Sequence, residues 1–383
     1  MRASIRFLSL ALGLPVFAMG CWCQLAPSPA APPLSTAPAP PVQEAPTASP
    51  PQGGTPVELF FTVKDDHGGL VSHLSAQSCS VLDDKAPQTL GSFVAETNQP
   101  LNLGILLDTS ASQRAWLAME QNAAGEFIRH VVRSQDQAIL LSFDVDVDLM
   151  QDYTNSPDLL MRALNKAQIN AGGNNDDRLV PVRIPRVEPR PRIDPGPVPN
   201  TNPRGTLLYD AISMAANEKM NQQTGRKALI VVTDSGDQGS SSTSQEAVAA
   251  AEKSNIPVYV VWVGSQDCFP DRRREVYRRQ RFLDDSHLEC ARRDHKAPCP
   301  GDYVARCIAQ HTGGKAISAQ NNDQLERAFQ QIQDELRSQY LASFTPTNPT
   351  ADGRFHQIEI RCHGDDGQEL NVQVRQGYYA PQR

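Results

Sequence analysis

The clearest structural signal in the chain is the segment Leu103-Gly104-Ile105-Leu106-Leu107-Asp108-Thr109-Ser110-Ala111-Ser112. Its first half is a continuous apolar run, which is typical of a strand that is buried on both faces of a sheet. Apolar residues at helical spacing then follow from Leu117 to Val131. A buried strand that leads into an amphipathic helix is the repeating unit of a parallel α/β sheet.

This strand-and-helix unit recurs towards the C-terminus. Apolar runs predict further strands at 138–143, 228–233 and 258–263. Helical spacing predicts helices at 158–166, 207–219, 245–253 and a last one that contains Leu325, Phe329 and Leu336. We therefore predict an α/β protein whose doubly wound, mostly parallel sheet spans residues 99–339 and has helices on both faces. In such sheets the ligand site lies at the carboxyl ends of the strands.

Both flanks of this region have the alternating pattern of half-buried strands. Apolar and polar residues alternate along 57–63 and again along 358–362. Neither flank has enough strands to be stable alone. Residues 56–98 and 340–383 are therefore predicted to form the two parts of one small β-sandwich, into which the α/β region is inserted.

Two stretches, 174–204 and 265–306, have no periodicity and are predicted to be surface insertions. The second contains six arginines between Arg272 and Arg281. Acidic residues surround this cluster, which favours a solvated helical face over a patch that binds anionic ligands.

The first residues are typical of an export signal. Arg2 and Arg6 precede a short apolar run, and residues 1–20 are therefore predicted to be a signal peptide. A signal-peptidase cut and a lipoprotein cut before a lipidated Cys21 both fit the sequence. Residues 21–55, rich in proline and alanine, are predicted to be a disordered linker. These features predict a periplasmic, envelope-bound or secreted protein that contacts a membrane only through a lipid on Cys21.

Export also determines how the six cysteines after Cys23 are interpreted, because an even number in an oxidising compartment favours disulfides. Cys79 and Cys362 each alternate with apolar residues, so both should face one core. Closure of the second insertion at its base would pair two more. The predicted bonds are Cys79–Cys362, Cys268–Cys307 and Cys290–Cys299, although the last four cysteines allow three arrangements. A zinc site using His287 and His295 is the alternative, but the spacings are long and contain no C-x-x-C pair.

Three segments carry the candidate chemistry, and the first is the D-x-S-x-S pattern at Asp108, Ser110 and Ser112. Gly205-Thr206 opens a predicted helix, and Asp234 ends a predicted strand. With these segments, residues 102–338 resemble the von Willebrand factor A (VWA) family. The order of β segment, VWA region and final β segment ending at Gly377–Pro381 more narrowly resembles the VWFA-related proteins first described in acidobacteria.

The resemblance implies a VWA/Rossmann-like fold and a metal-ion-dependent adhesion site (MIDAS). It implies that the ligands of the metal are Asp108, Ser110, Ser112, Thr206 and Asp234. Mg²⁺, or Mn²⁺ in its place, prefers six oxygen ligands, and neutral hydroxyls leave much of its charge uncompensated. Such an ion takes an aspartate or glutamate carboxylate from a protein or surface ligand. Ser235 stands where the family has glycine, so Asp237 is an alternative second carboxylate.

A structural explanation of the motif is that Asp108 and Ser112 cap the following helix. Capping explains one position but not three segments at three strand ends. Asp144, Asp146 and Asp148 suggest calcium, but their alternation and the lack of a glycine-bearing loop predict an exposed strand edge instead.

Composition narrows the class of function. A formal net charge of −7 argues against a nucleic-acid partner, because binding to phosphates requires a dense positive surface. The chain has no G-x-S-x-G elbow and no H-E-x-x-H helix, so a hydrolase is less favoured. We predict a non-enzymatic, metal-dependent protein-binding or adhesion module. The alternative is a structural or interaction scaffold with a vestigial metal site.

Overall fold

The structure is a computed structural model, and it describes residues 55–95, 99–169, 205–234, 236–264, 300–347 and 351–382. The predicted export signal, Cys21, most of the linker and the insertion at 174–204 lie outside these residues. Residues 265–299 of the second insertion also lie outside them. None of the helices in the described ranges is long and apolar enough to cross a membrane.

The strands are numbered in chain order. They are β1 (Val57–Lys64), β2 (Cys79–Asp83), β3 (Ala86–Gln88), β4 (Leu90–Ala95), β5 (Leu101–Asp108), β6 (Gln137–Phe143), β7 (Val147–Thr154), β8 (Arg226–Thr233), β9 (Val258–Val263), β10 (Ala316–Ala319), β11 (Tyr340–Phe344), β12 (Phe355–His363), β13 (Glu369–Gln373) and β14 (Gly377–Tyr379). The α-helices are α1 (Leu117–Val131), α2 (Pro157–Leu164), α3 (Leu208–Met214), α4 (Ser244–Lys253), α5 (Pro300–Thr312) and α6 (Asn322–Arg337).

The central sheet confirms the predicted mixed α/β class. Its strand order over the described residues is β10-β9-β8-β5-β6-β7. All neighbours are parallel except β6 and β7, which pair antiparallel at the edge. The chain starts in the middle with β5, winds out through β6 and β7, and then returns to β8 on the other side. The strand order therefore reverses between β5 and β8, and doubly wound sheets bind ligands in the crevice at this point.

Burial explains why these segments become strands and helices. Every residue of β5 is buried, as its continuous apolar run predicts. One face of the sheet packs against α1, α2 and α6, and the other against α3, α4 and α5. Local capping fixes two helix starts: Thr243 and Glu246 form a capping box at α4, and the Asn321 side chain accepts the Gln324 N–H at α6.

The two flanks pair with each other and share one apolar core, but the predicted arrangement of a sandwich is not confirmed. Their strands form one sheet, in the order β3-β2-β12-β13-β1-β11-β4, with β14 paired to β12. The reason lies in β1: its first part pairs with β11 and its last part with β13. Since β1 has C-terminal strands along both edges, strands from the two ends interleave in one sheet, and their apolar side chains share one core.

The Cys79–Cys362 prediction is confirmed, because these two residues form a disulfide in the structure. They are directly opposite partners on β2 and β12, with their Cα atoms 4.1 Å apart. Cys362 is fully buried in the apolar core of the flanking sheet, beside Val81 and Ile360. Cys307 is also disulfide-bonded. Cys268, Cys290 and Cys299 lie outside the described residues, so the pairing within the second insertion stays a prediction.

Arg375, between β13 and β14, joins the flanking sheet to α4. Its guanidinium donates to the Glu58 carbonyl oxygen at 3.0 Å and to the Glu252 carbonyl oxygen at 3.3 Å. The side chain of Glu252 is buried as well, and neither of its carboxylate oxygens has a hydrogen-bond partner among the described residues. Burial raises the pKa of Glu252 to about 8, although the charges of Arg375 and Lys253 act in the opposite direction.

The free energy of unfolding is expected to fall as the pH rises through the titration range of Glu252. Its pKa is 4.5 in an unperturbed chain and about 8 in the fold, so the folded protein holds an extra proton between these values. One such group contributes a slope of at most ~1.4 kcal/mol per pH unit. Urea denaturation at several pH values measures this slope, and Glu252→Gln should flatten it. Parallel pH profiles for the two proteins would contradict the prediction.

Candidate metal site

Asp108 and Asp234 lie at the point where the strand order of the central sheet reverses. Asp108 is the last residue of β5, and Asp234 directly follows the neighbouring strand β8. The Asp108 side chain is fully buried, and its Oδ1 accepts the Ser110 N–H at 2.9 Å. Its Oδ2 accepts the Thr233 hydroxyl at 2.6 Å. These bonds fix the carboxylate at the carboxyl edge of the sheet.

The two serines of the motif lie side by side in the turn after β5. The hydroxyl oxygens of Ser110 and Ser112 are 3.0 Å apart. A short 3₁₀ turn begins after Ser110, and α1 begins only after Trp116. Neither Ser110 nor Trp116 makes a side-chain capping bond to a described residue. Neither Asp108 nor Ser112 therefore stands at the N-cap position of α1.

Thr206 lies between the loop that follows β8 and the turn that joins β6 to β7. Its N–H and carbonyl form a pair of backbone hydrogen bonds with Gln238, in the loop after β8. The N–H of Leu207 donates to the Asp144 carbonyl, in the turn between β6 and β7, at 2.8 Å. Gly205 permits this approach, since a Cβ there would lie 2.9 Å from the Gln238 carbonyl oxygen. Thr206 itself is buried.

The site has an excess of buried negative charge. Burial, followed by repulsion from Asp234, raises the pKa of Asp108 to about 7. Glu120, fully buried on α1, has its pKa raised to about 9 by burial and by the charges of Asp108 and Asp234. Three carboxyl groups thus act on one another in a region of low polarity, where a cation would favour the ionised forms. The residues present therefore fit a divalent metal ion.

Sequence reasoning missed Glu120 and misplaced Asp144. Glu120 lies on the apolar face of α1, and an acidic residue at such a position is the signal that could have identified it. Asp144 was expected on an exposed strand edge. It lies instead, half-buried, in the turn between β6 and β7, where its carboxylate accepts the Thr109 hydroxyl at 2.8 Å. Turn geometry, which alternation does not reveal, places it beside the motif.

Asp237, the alternative second carboxylate, is held by hydrogen bonds to other residues. Its Oδ1 accepts the Tyr209 N–H at 3.2 Å and the Ser240 hydroxyl at 2.6 Å. It therefore anchors the start of α3, whereas Asp234 is the carboxylate whose charge acts on Asp108. Ser235, between them, lies outside the described residues.

An open groove of about 560 Å³ lies beside Leu207, next to Thr206. Four of the residues that line it are acidic: Asp146, Asp148, Asp210 and Glu218. The carboxylate of Asp210 is fixed by the N–H groups of Ser241 and Ser242, at 2.8 and 2.7 Å. The groove therefore presents negative charge close to the candidate metal site.

No protein-family model and no curated protein matches the sequence. Among solved structures, a von Willebrand factor type A protein from Catenulispora acidiphila has 9% identity and a TM-score of 0.41. The match covers 87% of this chain and 75% of that one. The chain is similar to VWA domain structures.

Two further matches have comparable scores. BatB of Bacteroides thetaiotaomicron, a conserved hypothetical protein, has 18% identity and a TM-score of 0.39, over 62% of this chain and 98% of that one. Proximal thread matrix protein 1 of the mussel byssus, in a structure with a zinc-occupied MIDAS motif, has 12% identity and a TM-score of 0.41. That match covers 66% of this chain but only 49% of the mussel protein. At these identities and TM-scores the matches carry no information about function.

Proposed function

We propose that this protein is a metal-dependent binding module of the MIDAS type. Asp108, Ser110, Ser112, Thr206 and Asp234 hold Mg²⁺ or Mn²⁺, and the ion takes a carboxylate of a protein or surface ligand. The observation that carries the proposal is the arrangement at the strand-order reversal. Two carboxylates on adjacent strands repel each other there, beside a pair of hydroxyls 3.0 Å apart.

The proposed ligands compensate only part of the positive charge of the metal ion. Both oxygens of Asp108 already accept hydrogen bonds, from Ser110 and Thr233, which reduces the negative charge it offers to a metal. The remaining proposed ligands next to it, apart from Asp234, are neutral hydroxyls. Because Mg²⁺ prefers six oxygens, a carboxylate from another molecule completes the set. The acidic groove beside Leu207 favours partners with basic side chains near that carboxylate.

We propose a non-catalytic role, and the position of His311 supports it. This buried histidine, at the end of α5, would be a candidate general base. Its neighbour Thr312 accepts the N–H of Val258, the first residue of β9, at 3.0 Å. Since β9 runs parallel to β8 and β5, His311 lies at the opposite edge of the sheet from Asp108. Proton transfer requires hydrogen-bond reach, which this arrangement does not provide.

We also propose that the protein acts outside the cytoplasm, in the periplasm, the cell envelope or the medium. The Cys79–Cys362 disulfide supports this, because such bonds persist in oxidising compartments and are rare in cytosolic proteins.

Asp108→Asn is expected to abolish the response of the protein to metal. The substitution keeps the shape of the side chain but removes the charge that the ion neutralises. In the wild-type full chain, Mg²⁺ or Mn²⁺ should raise the melting temperature, since a ligand that binds only the folded state stabilises it. The shift on addition of metal is the readout, because loss of a buried charge alters the baseline stability. Asp146→Asn, at an exposed acid in the groove, is the control and should keep the response.

Capture of a partner from an envelope extract separates this proposal from the scaffold alternative. The wild-type chain should retain the partner with Mg²⁺ and release it with EDTA, and Asp108→Asn should retain none. Capture that survives both EDTA and Asp108→Asn would show that the sheet surfaces or the insertions bind the partner, with a vestigial metal site.

A further inference from the structure

A second cluster of metal-ligating side chains lies in the flanking sheet, away from the Asp108 site. Asp83 ends β2, Asp84 opens the tight turn to β3, and His356 lies near the start of β12. One ligand atom from each residue lies within 4.8 Å of those of the other two. Sequence pattern does not reveal this cluster, because its members are brought together only by the pairing of β2 with β12.

Each carboxylate has one oxygen fixed and the other directed at the same imidazole nitrogen. Asp83 Oδ2 accepts the Tyr378 hydroxyl at 2.9 Å, and Asp84 Oδ1 accepts the Gln357 N–H at 2.9 Å. The other oxygens, Asp83 Oδ1 and Asp84 Oδ2, lie 3.6 and 3.0 Å from His356 Nδ1. The two carboxylates are therefore oriented towards His356 Nδ1 by their own hydrogen bonds.

The burial of Asp83 provides an independent indication that the cluster binds a cation. The residue is only 7% exposed, and no donor in the described part of the chain reaches its Oδ1 within hydrogen-bond distance. A buried carboxylate oxygen in this state costs free energy unless a cation or a donor satisfies it. Burial accordingly raises the pKa of Asp83, although the Tyr378 bond and His356 lower it.

A carboxylate also lies near the second nitrogen of the imidazole ring. His356 Nε2 lies 3.8 Å from Asp352 Oδ1, and the ring stacks on Tyr378 with centroids 5.3 Å apart. Histidines that bind metals usually have a carboxylate or carbonyl at the other nitrogen, which fixes the tautomer and the ring orientation. Asp84 is open to solvent, with a side chain 56% exposed, so an ion can reach the cluster.

We propose that Asp83 Oδ1, Asp84 Oδ2 and His356 Nδ1 form a binding site for a divalent transition metal of the zinc class. Imidazole combined with carboxylates selects such ions over Mg²⁺ and Ca²⁺, which prefer oxygen alone. Zn–N and Zn–O bonds of about 2.0–2.2 Å place tetrahedral ligands roughly 3.3 Å apart. The two distances to His356 Nδ1, 3.0 and 3.6 Å, lie on either side of this value. Three protein ligands leave one position open for water or an outside group.

The bound ion would connect the turn after β2 to β12, at the opposite end of the paired segment from the Cys79–Cys362 disulfide. It is independent of the proposed MIDAS function, because the two sites share no residue and lie in different sheets.

The test measures zinc binding by the full chain in an Asp108→Asn background, which removes the carboxylate of the first site. Zinc chloride alone is the probe, with a competing chromophoric chelator for affinity and elemental analysis for stoichiometry. Asp108→Asn should bind zinc and gain about 5 °C in melting temperature at one hundred times Kd. Adding His356→Gln should weaken this binding by roughly ten-fold or more, since outer partners alone are worth ~10–100-fold.

His363→Gln, at an exposed histidine on the same strand, is the matched control and should leave zinc binding unchanged. Asp84→Asn is the second variant: it keeps an oxygen for the Gln357 N–H and removes one anionic ligand at an exposed position, so its fold should persist. The proposal is overturned if Asp108→Asn binds no zinc. It is equally overturned if His356→Gln and Asp84→Asn, or Asp84→Asn alone where His356→Gln does not fold, bind zinc as well as the background.

Discussion

Replacing both Cys79 and Cys362 with alanine is expected to lower the free energy of unfolding by several kcal/mol, at most ~5 kcal/mol. The bond joins residues 283 positions apart, so it removes a large amount of loop-closure entropy from the unfolded chain. It also lies in a core shared by β2 and β12. Chemical denaturation of the full chain, under non-reducing conditions, measures the loss.

Reducing agent supplies the control for this experiment. Fully reduced wild type lacks the Cys79–Cys362 bond, as the double variant does. Its unfolding midpoint should therefore approach that of the reduced double variant. The midpoint of the variant should fall less on reduction, because it loses only its remaining disulfides, the one at Cys307 among them. A variant with the wild-type midpoint under oxidising conditions would show that β2 and β12 are held by their packing and not by the disulfide.

Glu335→Ala is expected to cost roughly 3–5 kcal/mol, as is typical when one partner of a buried ion pair is removed. The Glu335 side chain is 1% exposed, and its Oε1 lies 2.5 Å from Lys64 Nζ of β1 and 3.4 Å from Lys315 Nζ. Gln373 of β13 donates to Oε2 at 3.2 Å. The substitution leaves Lys64 largely buried without its counter-charge and loosens the contact between α6 and the flanking sheet.

A surface ion pair provides the comparison for Glu335. Glu359 and Arg361 form a pair whose side chains are 46% and 53% exposed. Glu359→Ala should therefore change the free energy of unfolding by no more than ~1 kcal/mol. Urea denaturation of both variants measures the contrast. Equal effects at Glu335 and Glu359 would mean that water reaches Lys64 and that the pair does not join the two sheets.

The sequence predicts the features that depend on local pattern. The apolar run before Asp108 predicts β5, and the strand-helix alternation predicts the sheet whose order reverses beside it. Alternation along Cys79 and Cys362 predicts the face on which each lies, which is sufficient for the disulfide. Asp108, Ser110 and Ser112 follow a motif of short spacing, so the amino-acid sequence alone proposes them as ligands, and their role as ligands stays a prediction.

The features that sequence pattern cannot provide depend on pairing between distant segments. Alternation along β1 indicates a buried face but does not say which strands take its two edges, so a sandwich was expected where one sheet forms. Glu120 is marked in the sequence by its position on the apolar face of α1, but that position does not say which carboxylates it faces. His356 joins Asp83 and Asp84 only because of the register between β2 and β12.

The interleaving of the two chain ends in one sheet has a consequence for the order of folding. In the central sheet, β5 pairs with β6 and β8, which follow it in the middle of the chain. In the flanking sheet, β1 and β2 pair with β11 and β12, which are synthesised near the end. Loop closure of this length is slow, so the flanking sheet is completed after the central one. Until β11 and β12 emerge from the ribosome, β1 and β2 have open edges that can pair with other chains. A nascent chain of this protein is therefore exposed to aggregation at β1 and β2 until its last strands have been synthesised.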